Sequence, residues 1–389
     1  MKMSFRPHQL LPRGLFWLFV MSLLMPHMAA ARTTLQVGNG VELSFAAGDI
    51  DIKSGSGELF GVEIHEDGMV TLTADYLKID ADGTMGGPDW YIRTLLIKNA
   101  LMPDGGLFIN QIEAQDIFAG AFRGDTVPGD PATVTEQSFI KMTNLSVEAE
   151  KALVSVDEIS SLPIRLAESS SGTPVVAKSG MAIKGMTVMP LEQSPGNDPL
   201  IDKLAERGIN SVELDLIILS TIDVAETGMH VGYEVISDIR DLAAIEFSVR
   251  FVIDDDVYER LLPLLAAPED NGMAMLGLSG AIAVESGRLV VDDTGLGDIA
   301  FAVAAAEEGV SEAEFRSMAR MSAAAGVGAT FPENVAWLLP PIEAMLQRGG
   351  RLTALASPDA PVPLSSVIGF AMFPDLAIDQ LGIALNHQP

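Results

Sequence analysis

No cysteine occurs in the 389 residues, so disulfide frameworks, thiolate metal centres and a lipid-modified N-terminal cysteine are all excluded. Histidine is scarce: beyond residue 31 only His65, His230 and His387 occur, with no H-E-x-x-H. A catalytic zinc centre therefore has almost no ligands to draw on, and each histidine reads as a surface or half-buried strand residue. Aromatic residues make up 6% of the chain, too few for the two girdles of an outer-membrane barrel. Basic residues are outnumbered, 24 against 53 acidic, for a formal net charge of -29. That balance excludes nucleic acid and anionic membrane surfaces as partners, because phosphate binding depends on clustered Lys and Arg. Beyond the N-terminal segment no apolar run approaches the roughly 20 residues that cross a bilayer.

What is present begins with an address. Lys2, Arg6 and Arg13 precede the apolar run "LFWLFVMSLLM" at 15–25, and Ala29, Ala30 and Ala31 follow it. A basic start, a short apolar core and a small-residue end are the layout of a secretory signal, here cleaved near Ala31. The expected location is periplasmic, with retention of residues 1–31 as an anchor left open. Cleavage removes three bases and no acid, so the mature chain is more acidic still. This acidity is not disorder, since 48% of residues are hydrophobic, enough to build a core.

The remaining length fits about two domains of roughly 150 residues each. From 32 to 192 the chain alternates. "VEIHEDGMVTLTADYLKID" (62–80) puts Val70, Leu72 and Ala74 on one face and Thr71, Thr73 and Asp75 on the other, after an Asp67-Gly68 turn. The same strand plan returns at 95–117, turning at Pro103 to Gly106, and at 143–164, turning near Glu150-Lys151. Between them 126–135 reads as an exposed loop rich in Pro and Gly. A linker at 193–199 opens the region 200–389. Asp198 is placed to cap a helix, Pro199 to begin it and Gly208 to close it. Strands follow near 210–224, 228–239 and 243–253, and in the last Ile245, Phe247, Val249, Phe251 and Ile253 share a face opposite Glu246, Ser248 and Arg250. A short helix at 257–265, a hairpin turning at Ser286-Gly287, further helices and short strands near 351–357 and 382–386 complete the chain.

The fold class is α+β: mainly antiparallel β, a curved sheet or half-barrel of repeated ribbons, with helices concentrated in the C-terminal half. One-sided strands in so long a chain must be covered by helices, a second sheet or a ligand.

Each chemical motif in the sequence has a structural explanation. Gly295-Leu296-Gly297-Asp298-Ile299-Ala300 fits the G-x-G-x-x-A of dinucleotide sites. Asp292, Asp293 and Asp298 crowd the place of a pyrophosphate, and no parallel βαβ unit surrounds it. A helical hairpin packed on a sheet explains the stretch better: 298–308 forms one helix with Asp298 as a cap or first-turn acid, Gly309 ends it, and Ser311 with Glu314 makes a capping box for a second. Along that second helix Phe315, Met318, Ala319 and Ser322 share a side. Ser138 and Lys141 fit the S-x-x-K of exported serine acyltransferases, but without a K-T-G or S-D-N they read as solvent-facing strand residues. Asp80-Ala81-Asp82-Gly83 opens like a calcium loop, yet its Gly comes fourth and Tyr91 stands at position 12. Asp254-Asp255-Asp256 reads as a helix cap, with calcium kept as the alternative. No catalytic, cofactor-binding or metal-binding residue is assigned, and no cofactor is expected.

The runs "VTLTADYLKIDADG", "LFINQIEAQDI", "NLSVEAEKALVSVDEI" and "GLSGAIAVESGRLVVDDTGLGDIAFAVAAAEEGVSEAEFRSMA" resemble exported bacterial envelope proteins of the AsmA-like kind and their uncharacterised relatives. The resemblance is one of rhythm, and it implies repeated amphipathic strands forming a long groove or half-barrel that handles lipid at the envelope of a diderm bacterium. The chain departs from that family in length and in the expected loss of an N-terminal anchor, and no functional residue is carried over. The expectation is a non-enzymatic envelope protein that binds or scaffolds an apolar component such as lipid. The alternatives are an interaction protein that pairs an exposed strand edge with an envelope partner, and a hydrolase using acids that nothing in the sequence singles out.

Overall fold

The structure, a computed structural model, describes residues 33–36, 41–51, 53–66, 68–83, 91–118, 134–149, 152–169, 172, 174–190, 199–225, 228–254, 257, 258, 260, 261, 277–370 and 373–389. The signal segment, Asp67, Glu150, Lys151, Asp198, Asp255 and Asp256 lie outside the described residues, as do 126–133, the linker at 193–198 and 262–265. The chain divides into two compact units, Met1–Val147 and Glu148–Pro389.

The N-terminal unit is an antiparallel meander of β1 (Thr33–Gln36), β2 (Val41–Asp51), β3 (Ser56–Glu66), β4 (Met69–Asp82), β5 (Tyr91–Met102), β6 (Leu107–Phe118) and β7 (Val134–Glu148). Val134 and Thr135, expected in a loop, already belong to β7. The β5–β6 turn is as the sequence implies: Pro103–Gly105 forms one 3-10 turn, and Gly106 closes it at φ 60, a left-handed conformation that glycine adopts without strain.

The alternation in this unit holds only in segments. In β4, Leu72 and Ala74 are buried, but the next buried positions are Leu77, Ile79 and Ala81, so the inward parity switches at Asp75-Tyr76. The register explains why. Gly61, Asp75, Asn99, Asn110 and Asn144 fall on one line across β3 to β7, between normally paired neighbours. Gly61, Asn99 and Asn144 on that line have φ of 59, 53 and 50. Each such residue turns its strand so that the following side chains change face. Asn tolerates this region better than most residues, and Asn99 Nδ2 donates to Asp75 Oδ2 at 2.7 Å, joining two neighbours on the line.

The strands of the C-terminal unit are antiparallel as well. β8 (Ala152–Ser161) and β9 (Arg165–Glu168) lie end to end along β10 (Pro174–Pro190). The order continues β10, β11 (Val212–Ala225), β12 (Gly228–Ile239), β13 (Ala243–Ile253), β14 (Ile282–Asp293), β15 (Gly350–Ala356) and β17 (Ile383–Gln388), with β16 (Val362–Pro363) beside the start of β14. Because β10 pairs with β11, the strands on either side of 193–199 share one sheet, and the unit boundary falls earlier, at Val147/Glu148. The expected fold class holds: the chain is mainly antiparallel β, with its helices in the C-terminal half.

The helices of this unit whose bounds lie among the described residues are α1 (Pro199–Glu206), α2 (Leu296–Glu308), α3 (Glu312–Thr330), α4 (Val335–Arg348), α5 (Leu364–Phe370) and α6 (Pro374–Leu381). α2 begins two residues before the expected 298 and ends at Gly309, whose φ of 69 lets its N–H reach the carbonyls of Ala305 and Ala306. The capping box of α3 is formed: Ser311 Oγ accepts from Glu314 N–H at 3.3 Å, while Glu314 Oε2 accepts from Ser311 N–H at 2.9 Å.

Two expectations need correction. No hairpin turns at Ser286-Gly287. β14 runs straight through it, and Glu285 is an extra residue, a bulge, opposite Arg250-Phe251. The buried side of α3 is not the one expected either, because Phe315 and Ala319 are half-buried but Met318 and Ser322 are exposed. The half-buried line runs Phe315, Ala319, Ala323, Val327, and α3 packs on α2 and α4; α4 is the helix among these three that reaches strands β15 and β17.

Candidate functional site: an uncovered apolar row

Strand register defines the two faces of the C-terminal sheet. Met181 pairs with Ile218, Ile218 with Val235, Val235 with Phe247, Phe247 with Leu289, Leu289 with Ala354 and Ala354 with Leu385. Seven strands thus contribute seven apolar side chains to one transverse row. Because side chains alternate, the row two positions along β13 also lies on this face, and it runs Ile183, Leu216, Ser237, Ile245, Val291, Leu352, His387. On the other flank it runs Ser179, Ser220, Tyr233, Val249, Gly287, Ala356, Ile383. The face predicted from β13 alone is therefore real and extends across the sheet.

Helices cover this face at its ends and at one edge. At one end of the strands Leu204 of α1, Leu242 and Ile299 of α2 form a buried cluster against Val212 and Ile239. At the other end Val257, Tyr258 and Leu278 pack on Ile222, Met229, Ile253 and Phe251. Residues 257, 258, 260 and 261 are helical there, as expected. At the β17 edge Trp337, Pro340, Pro341 and Ala344 of α4 border an open cleft with Leu385 and His387. Pro340 and Pro341 lack the N–H groups that would bond back along α4. The helix start is held by Asn334, which donates to Asp375 of α6 at 2.8 Å and accepts from Trp337 Nε1 at 2.8 Å. Between these covers the row is open: Met181 is 36% exposed, Phe247 40%, Leu289 37%, and Tyr233 beside it 41%.

The opposite face carries the charge. Arg250 Nη2 donates to Asp223 Oδ2 at 2.9 Å, Arg288 Nη1 to Glu246 Oε2 at 2.6 Å and Arg351 Nη1 to Asp292 Oδ2 at 3.4 Å. The bulged Glu285 lies 2.9 Å from both His230 Nδ1 and Arg250 Nε, the latter an ion pair whose N–H is not aligned for a hydrogen bond.

The motifs weighed in the sequence are engaged in structure. The glycine turn after β14 is closed by its own chain, since Asp293 Oδ1 accepts from Gly295 N–H and Gly297 N–H at 3.0 Å each. The N–H groups that would cradle a phosphate already hold a carboxylate, and a Cβ on Gly297 would sit 2.3 Å from Asp293 Oδ2. The strands around the turn are antiparallel. Asp298, in the first turn of α2, accepts from Arg207 at 2.8 Å and Arg316 at 2.6 Å. Hydrogen bonds from Arg207 and then Arg316 hold its carboxyl below the usual carboxylate range. Arg316 also donates to the Leu346 carbonyl of α4 at 3.0 Å and lies over the Phe301 ring, 4.5 Å from its centre, so one guanidinium ties α2, α3 and α4.

Ser138 is buried, not solvent-facing: its hydroxyl donates to the Asp116 carbonyl at 2.5 Å and accepts from Thr135 N–H at 2.7 Å. A serine fixed in this way completes the backbone bonding where the β6–β7 register shifts, between the pairs Gln115–Phe139 and Ile117–Val134. Asp80 and Asp82 both pair with Arg93, whose hydrogen bonds hold the Asp80 carboxyl below its ordinary value. Tyr91 is pushed up to about 12 by burial and by its hydrogen bond to Asp116. His65 lies 3.3 Å from Glu63, and His387 Nε2 is 2.7 Å from the Gly349 carbonyl oxygen. At Asp254 the backbone carbonyl accepts from Val257 and Tyr258, opening the helix there. Among the described residues no group of three or more His, Asp or Glu is arranged to hold a metal ion, and no helix is long and apolar enough to cross a membrane.

A family model described as an uncharacterized protein matches residues 237–388. That span holds β13 to β17 and α2 to α6, and with them the part of the row from Phe247 to Leu385. No curated protein matches the chain.

Proposed function

We propose that the protein is a non-enzymatic, exported protein of the cell envelope that resides in the periplasm after cleavage near Ala31 and binds an apolar component, a lipid acyl chain, on the row from Met181 to Leu289. The observation that carries this reading is the open apolar row itself. A soluble protein gains nothing by leaving Phe247, Leu289 and Tyr233 side by side in water, and contiguous apolar exposure marks a surface that meets another molecule. The dimensions agree. Four strand spacings of about 4.8 Å separate Met181 from Leu289, roughly 19 Å in all. An acyl chain fills about half of a hydrocarbon core that is roughly 30 Å thick. About 14 methylenes at roughly 0.8 kcal/mol each give a gross gain near 11 kcal/mol before the costs of association, ample for capture. The N-terminal signal and the resemblance to AsmA-like envelope proteins support the same reading. Native mass spectrometry of protein isolated from its own envelope tests it: a bound lipid mass is expected, and bare protein in every preparation sinks it.

A second reading keeps the protein non-enzymatic but gives it a protein partner. It is favoured by β17, which pairs with β15 alone among the described residues and so offers a strand edge for augmentation. Crosslinking in the envelope that returns only monomer counts against it.

A further inference from the structure

We infer that the lipid held on this row has an uncharged headgroup, and that the site discriminates against phosphate-bearing lipids carrying the same chain. This rests on the proposed lipid-binding reading and adds a substrate class to it. The three adjacent rows of the apolar face contain no Lys or Arg. The arginines of β13, β14 and β15 all project from the opposite face, where Asp223, Glu246 and Asp292 already neutralise Arg250, Arg288 and Arg351. Polar groups beside the open part of the row are hydroxyls: Ser179, Ser220 and Tyr233 occupy three neighbouring strands on one flank. An anionic headgroup brought there leaves water without gaining a cation, and it approaches a chain whose net charge is -29. A glycerol-like or alcohol headgroup exchanges water for hydroxyl partners at little cost.

The test uses the purified mature chain and two probes with one acyl chain each, a monoacylglycerol and the lysophosphatidic acid that differs from it by a phosphate. Both are presented together below their critical micelle concentrations and scored by native mass spectrometry. The monoacylglycerol is expected to be taken up in preference by about tenfold or more, equivalent to roughly 1.4 kcal/mol. Ser220→Lys places an ammonium on the flank of the row and is expected to shift the ratio at least about tenfold toward the phosphate lipid. Phe247→Glu is expected to lower uptake of the neutral probe. Equal or preferred binding of lysophosphatidic acid by the unmodified chain overturns the headgroup inference and leaves lipid binding standing. An unchanged ratio in Ser220→Lys overturns the placement of the headgroup. Binding of neither probe overturns the lipid reading and this inference with it.

Discussion

Ile97 in the N-terminal unit and Phe247 in the C-terminal unit hold comparable places, each an apolar member of an alternating strand inside an antiparallel meander. Ile97 is wholly buried, with Leu43 and Ala100 likewise at 0% exposure, whereas Phe247 is 40% exposed. What separates them is whether something lies over the face, and that is a property of distant chain. One face behaves as core, and among the described residues the other is covered only at its ends and at the β17 edge, by α1, α2, the helical residues 257, 258, 260 and 261, and α4.

The largest effect that can break this comparison comes from truncating the two side chains. Ile97→Ala is expected to cost about 2–5 kcal/mol, because it removes wholly buried methyl groups and leaves a cavity. Phe247→Ala is expected to change stability by no more than roughly 1 kcal/mol, since much of the ring is already in water. Urea titration of both variants measures the pair. Similar losses at the two positions erase the distinction between core and open row.

Much of the fold was legible because it is local. The β13 alternation, the turn at Pro103 to Gly106, the capping box at Ser311 and Glu314 and the αL stop at Gly309 each depend on a few consecutive residues, and each formed. Reading failed where a local signal had a non-local use. Ser286-Gly287 looks like a turn, but its neighbours pair with β13 on both sides and the irregularity is absorbed as the Glu285 bulge. The parity switches at Gly61, Asn99 and Asn144 were hidden because asparagine within a strand carries no distinctive pattern. Ser138 was read as solvent-facing from its strand context, which its burial and the irregularity between Val134 and Phe139 overturn. The row was half legible: β13 showed which of its own residues share a face, but only register brings Met181 and Leu385 into line with Phe247.

A smaller effect sharpens the comparison by loosening one cover. Asp293→Ala removes the carboxylate that holds the N–H groups of Gly295 and Gly297 at the start of α2. It is expected to cost about 1–2 kcal/mol, typical for the loss of a helix-terminal cap. Amide hydrogen exchange at those two glycines should accelerate, while exchange in β3 to β5 stays unchanged. Equal acceleration in the N-terminal unit contradicts the division of the chain into two units.

The smallest effect concerns acid. Asp298 has a folded-state pKa below its ordinary value of 3.8, chiefly through the hydrogen bonds from Arg207 and Arg316. Between the two values the unfolded chain binds more protons than the folded one, so stability falls as the pH falls. The contribution is whole above the ordinary carboxylate range and is lost as the pH drops through the depressed value. The Asp298 side chain is 50% exposed, so solvent screening limits the effect to less than about 1 kcal/mol. Asp298→Asn is expected to remove that acid-dependent increment while leaving the row itself intact, because Arg207 and Arg316 join helices to helices and touch none of the row. Melting curves from pH 5 to pH 2.5 that coincide in shape for the two proteins place the acid sensitivity elsewhere and show that the knot at Asp298 does not hold the helical cover.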